Sequence, residues 1–83
     1  AQQQYEKALS AYEKAIEIDS TSPAAWRGRG YTFMTQFIQN PEQLDLRTNA
    51  LDSWNRSLDL NANQPKLRRL VQKYTPRRNL PEL

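Results

Sequence analysis

The groups with chemical potential in this 83-residue chain are carboxylates, amines, guanidiniums and phenols, because neither His nor Cys occurs. Their absence removes disulfides, thiolate nucleophiles, Cys/His zinc sites and imidazole bases. Glu13 and Glu17 stand one helical turn apart, the spacing of paired carboxylates. They fall on the polar side of an apolar-periodic segment with Lys14 beside them, so a solvated face is expected rather than an acid/base pair or a metal site. Gly28 and Gly30 do not form a phosphate-binding loop. No catalytic constellation is present, so the expected protein is not an enzyme and has no cofactor and no metal.

The stronger signal is basic. The net charge of +3 divides unevenly. Residues 1–65 carry six basic and eight acidic side chains, net −2, whereas Lys66, Arg68, Arg69, Lys73, Arg77 and Arg78 against Glu82 give residues 66–83 a net +5. A basic cluster without interleaved acids favours an anionic partner, and its plain alternative is a solvated terminal helix.

Four elements must position these charges. Ser22-Pro23, Asn40-Pro41 and Gln64-Pro65 each place Pro where a helix can begin without losing a hydrogen bond, and Asn40 with Gln43 fits a capping box. The spacing predicts helices over 2–19, 23–38, 41–60 and 65–74. Their apolar stripes are Tyr5, Ala8, Leu9, Tyr12, Ala15 and Ile16; then Trp26, Gly30, Phe33 and Phe37; then Leu44, Arg47, Leu51, Trp54 and Leu58; then Leu67, Leu70, Val71 and Tyr74. Tyr5, Tyr12, Trp26, Phe33, Phe37 and Trp54 are expected in the core. Thr75-Pro76 ends the last helix, and residues 76–83 read as an irregular basic tail. No segment alternates as a strand does, so the fold class is all-α. No apolar run approaches the ~20 residues of a membrane span, and a cytoplasmic setting is expected. The chain opens on Ala1 without Met, which reads as an excised piece of a longer soluble protein. Gly28 and Gly30 lie inside the second helix, where each costs about 1 kcal/mol relative to Ala. Close approach of a neighbouring helix backbone is the expected reason.

The chain matches itself at an offset of 42 residues. Ala8-Leu9-x-x-Tyr12-x-x-x-Ile16-x-Ile18 returns as Ala50-Leu51-x-x-Trp54-x-x-x-Leu58-x-Leu60, and Pro23 returns as Pro65. Within this repeat, Trp26-x-x-Arg29-Gly30-x-x-Phe33 followed by Ala50-x-x-x-Trp54 resembles the tetratricopeptide repeat pattern. The resemblance implies antiparallel helix hairpins in a right-handed superhelical array. It divides the chain into the second helix of a truncated repeat (1–22), one repeat (23–64), a capping helix (65–75) and the tail (76–83). Arg29 stands in a usual Leu slot, with its stem expected along the core and its guanidinium in water. Ser20 and Ala62 replace the usual closing Pro, and Ser57 a small apolar residue. The usual period is 34, so eight residues are extra between Phe33 and Ala50. One added turn on each helix would absorb them, close to two turns of 3.6. A surface loop over 39–43 is the competing account.

The resemblance further implies a protein-interaction module, a scaffold or adaptor, whose first helices line a concave groove. Helix phase places Arg27, Tyr31, Met34 and Thr35 there, together with Lys66, Arg69 and Lys73 of the last helix. The expected peptide-binding set is therefore Arg27, Tyr31, Thr35, Lys66, Arg69 and Lys73, suited to an acidic peptide or partner domain. Gly28 and Tyr31 stand where some family members carry the Asn residues of a carboxylate clamp, so that full arrangement does not carry over. Two rival readings remain: nucleic acid at the basic stretch 66–78, opposed by the acidic body, and a structural or self-associating element, a homodimer through an exposed first helix.

Overall fold

The computed structural model of the protein describes residues 2–76. The expected basic tail, from residue 77 onward, lies outside the described residues. Four helices form where the apolar periodicity stands: α1 (Gln2–Ile18), α2 (Pro23–Gln39), α3 (Leu44–Leu60) and α4 (Pro65–Tyr74). Ser22 holds extended backbone and its Oγ accepts from the Ala25 N–H at 3.3 Å, with Pro23 preorganised behind it. Thr75 ends α4 with its N–H on Val71 O, one residue before Pro76. Among the described residues there is no strand.

The start of α3 departs from the sequence expectation of residue 41. Asn40 closes α2 instead of opening α3, because both its backbone N–H and its Nδ2 turn back to Gln36 O, at 2.9 and 3.0 Å. The Gln43 N–H then donates to Asn40 O and completes a short turn through Pro41 and Glu42. With its side chain turned back to α2, Asn40 makes no cap to α3, whose N-cap residue Gln43 has no side-chain cap bond. Each arm of the α2–α3 hairpin is 17 residues long. Leu44, expected on the inner stripe, begins the helix exposed.

Each helix packs on its neighbours in the chain, α1 on α2, α2 on α3 and α3 on α4. The result is a slab of 49 × 30 × 18 Å, whose short axis is less than two helix diameters. Met34, Ala50, Leu51, Trp54 and Leu67 form the buried cluster, flanked by Phe33, Phe37, Leu58, Leu70, Val71 and Tyr74. No residue of α1 is fully buried. Of the six aromatics expected in the core, only Trp54 is closed off from solvent, while Tyr5, Tyr12, Trp26, Phe33 and Phe37 are half-buried. A slab this thin leaves one edge of each ring at the surface.

Both glycines have a spatial reason, and it is aromatic rather than backbone. A β-carbon on Gly30 would overlap the indole of Trp54, and one on Gly28 would overlap the ring of Tyr12. Arg29 also departs from expectation. Its guanidinium turns inward over the Phe33 ring, 4.9 Å from the centroid, and donates to Ser53 Oγ at 2.6 Å. Ser53 is fully buried and its Oγ donates to Asn49 O. Ser57, also fully buried, donates to Pro23 O at 2.8 Å. The α2–α3 contact thus sets these serine hydrogen bonds beside an apolar cluster.

Candidate functional site

Trp54 organises one side of the hairpin. Its Nε1 donates to Arg27 O at 3.3 Å, and Tyr31, one turn further along α2, meets it edge-on with centroids 5.3 Å apart. Tyr74 of α4 lies against the same indole at 6.4 Å. Arg27 and Tyr31 therefore project from a helix surface pinned to α3, and α4 is brought beside them by Trp54 and Leu67.

Between α2 and the start of α4 lies a cleft of about 370 Å³, lined by Arg27, Tyr31, Gln64, Pro65, Lys66 and Leu67. Two cations stand at its wall and no acid contributes to its lining. Tyr31, Pro65 and Leu67 supply apolar surface. Arg27 Nη1 donates to Gln64 Oε1 at 2.8 Å, which spans from α2 to the α3–α4 connection. Such a cleft can receive a carboxylate attached to an apolar group, because guanidinium and ammonium groups give short, charge-assisted hydrogen bonds.

The structure brings together three of the six residues expected from sequence: Arg27, Tyr31 and Lys66. Thr35 is exposed and spends its hydroxyl on Tyr31 O at 2.8 Å, within its own helix. Arg69 and Lys73 are exposed on α4 and do not line the cleft, and Lys73 Nζ lies 5.3 Å from the Tyr74 ring. Met34, expected beside them in the groove, is instead a core residue, 3% exposed. It sits in the cluster with Ala50, Leu51, Trp54 and Leu67 because the phase of α2 turns it toward α3.

Sequence reasoning missed Gln64, though one signal was available. At the 42-residue offset Gln64 is the counterpart of Ser22, the residue that caps α2. Gln64 makes no such cap to α4, and its longer side chain folds back onto α3. A cap position filled by a residue poorly suited to capping marks a side chain used elsewhere.

Glu13 and Glu17 are exposed and lie along open depressions on α1, one with Leu9 and Ser10, the other with Ile16, Trp26 and Arg29. Among the described residues no cluster able to hold a metal ion forms, and no helix is long and apolar enough to cross a membrane.

Sequential helix hairpins, with an aromatic of one helix seated on a glycine of the preceding one, define a helical-repeat protein. Residues 1–36 match a family model described as TPR repeat, so this part of the chain is similar to tetratricopeptide repeats. The all-α architecture agrees with a hairpin array of that family. Repeats of this kind generally mediate protein–protein interaction. The comparison with curated proteins found no match, nor did that with solved structures.

Proposed function

We propose that this chain is a non-catalytic interaction module that binds an acidic peptide or partner domain on the face carrying Arg27, Tyr31, Thr35, Lys66, Arg69 and Lys73. The observation that carries the reading is the cleft between α2 and α4, with Arg27 and Lys66 on apolar walls and no acid in its lining. Arg69 and Lys73 extend positive charge along α4 and would steer an acidic ligand toward it. In this reading residues 1–22 end one repeat, 23–64 form a repeat whose two arms absorb the eight extra residues, and 65–75 close the array.

The test is fluorescence anisotropy with a fluorescein-labelled peptide of alternating Glu and Leu, and its Lys–Leu counterpart as control. The Glu peptide should bind and the Lys peptide should not, and Arg69→Glu/Lys73→Glu should weaken binding without unfolding the chain. Equal binding of both peptides, or none, defeats the proposal. A generic single-stranded RNA that binds more tightly than the Glu peptide, with a steep salt dependence, would favour the nucleic-acid alternative.

A second reading rests on α1, which has no fully buried residue and leaves Ile18 88% exposed. Pairing of two chains through this helix would cover that surface. Light scattering across a concentration series checks it, and a strict monomer rules it out.

A further inference from the structure

We infer that Gln64 is the positioning residue of the cleft: it holds the Arg27 guanidinium in place for a partner's carboxylate while leaving its charge uncancelled. This rests on the carboxylate-binding reading of the cleft.

The hydrogen bonds of Gln64 leave its amide one orientation. Nε2 has two hydrogens and faces three acceptors, Asn61 O at 2.8 Å, Ser57 Oγ at 3.0 Å and Ser57 O at 3.2 Å. Ser57 Oγ commits its own hydrogen to Pro23 O, so toward Gln64 it can only accept. The amide must therefore point its NH2 group at α3 and its oxygen at Arg27, where Nη1 donates at 2.8 Å. Carbonyls fixed by the helix end dictate the amide, and the amide dictates the guanidinium.

A guanidinium has five N–H donors, and the single bond to Oε1 leaves the others available. Because the acceptor is neutral, the positive charge stays free for a ligand. Arginine loses considerable rotamer freedom when it is fixed, and here that ordering precedes binding, which favours affinity. No other side chain serves at position 64. Glu would set a carboxylate against the carbonyls of Ser57 and Asn61 and would neutralise Arg27 itself. Asn is one methylene too short to reach both helices. A carboxylate built into this position would act as an internal competitor for the partner's acid.

Four variants separate the outcomes, read with the same fluorescein-labelled Glu–Leu peptide: Arg27→Met, Gln64→Met, Gln64→Glu and Ser57→Ala. Arg27→Met should abolish most binding. Gln64→Met keeps the length of the side chain without its hydrogen bonds and should weaken binding about tenfold. Gln64→Glu should weaken it further and flatten its salt dependence. Ser57→Ala should lower the melting temperature yet leave affinity within about twofold, since Ser57 O and Asn61 O still hold the amide. Independently of any ligand, the Arg27 guanidinium of the free protein should show slow rotation by ¹⁵N NMR, and Gln64→Met should release it.

Wild-type affinity in Gln64→Met overturns the inference. So does a Ser57→Ala variant that loses as much affinity as Gln64→Met, because the role of Gln64 would then be structural alone. If Arg27→Met binds like the parent, or the parent does not bind, the reading of the cleft itself falls, and the inference falls with it.

Discussion

The indole of Trp54 occupies the space that any side chain on Gly30 would need. The indole is 1% exposed, and its Nε1 is bonded to Arg27 O. Gly30→Ala therefore sets a helix-propensity gain of about 1 kcal/mol against overpacking of about 1–3 kcal/mol. The obstacle is a buried ring held by its Nε1 bond and flanked by Tyr31 and Tyr74, so overpacking should win and the variant should melt lower. At Gly28 the obstacle is the far end of the Tyr12 side chain on the half-buried α1. Tyr12 can yield there, so Gly28→Ala should be the milder change. Paired thermal melts check the order, and Gly28→Ala as the worse variant would refute it.

Trp54→Ala should cost about 3–5 kcal/mol, as large aromatic deletions in a core do. Tyr31 and Tyr74 would lose their shared ring, so the cleft wall and α4 should loosen together. Trp54→Phe keeps most of the packing but drops the bond to Arg27 O, for a loss nearer 1 kcal/mol. Urea unfolding of the two variants reads both figures. A Trp54→Ala chain that unfolds at the parent's midpoint would contradict the placement.

Arg29 and Ser53 form a polar pair at the hairpin interface, and removing one partner should hurt more than removing both. Ser53→Ala leaves a half-buried guanidinium without its acceptor and should cost about 1–3 kcal/mol. Arg29→Leu/Ser53→Ala replaces the pair with apolar groups and should be near neutral. The coupling energy from a double-mutant cycle decides between them, and strictly additive losses would argue against a linked pair.

Asp19 follows the last turn of α1, and its carboxyl is held below the ordinary carboxylate range by the Thr21 hydroxyl first and the Thr21 N–H second. A carboxyl with a lowered folded-state value stabilises the fold above the ordinary value of about 3.9 and loses that contribution as pH falls through the lower one. Asp19→Ala should thus melt below the parent at pH 7, and the gap should narrow below about pH 4. A gap that stays constant down to pH 2 would show that the carboxylate charge is not involved.

The number of helices, their order and the hairpin were legible in the spacing of apolar residues and in the three prolines. Two of those prolines behaved as helix starts. The third did not, because Asn40 had a better use at the end of α2, and a capping pattern cannot reveal which of two adjacent helices an Asn will serve. Of the residues that helix phase assigned to the groove, Arg27, Tyr31 and Lys66 do line one cleft. Helix phase misplaced Met34, since the turn of α2 toward α3 depends on where Trp54 sits. The inward guanidinium of Arg29 was hidden for a related reason: Ser53, its acceptor, is 24 positions away and belongs to another helix. Gln64 was the largest omission, because its bonds join residues that only the closed hairpin brings within reach.

Because the helix backbones pack on their neighbours along the chain, the molecule is joined like a strip of hinged panels rather than knotted at a centre. Contacts close over short stretches of sequence, which favours folding in microseconds to milliseconds. Loss of order should also run inward from the ends. Amide exchange would then form a gradient, fastest in α1, which has no buried residue, and slowest in α3, which is sheathed by α2 and α4. A partner gripping the cleft would clasp α2 to α4 along their length, adding to the hydrogen bond from Arg27 to Gln64 that spans the gap. Its arrival should be felt as slower exchange along that whole end of the strip.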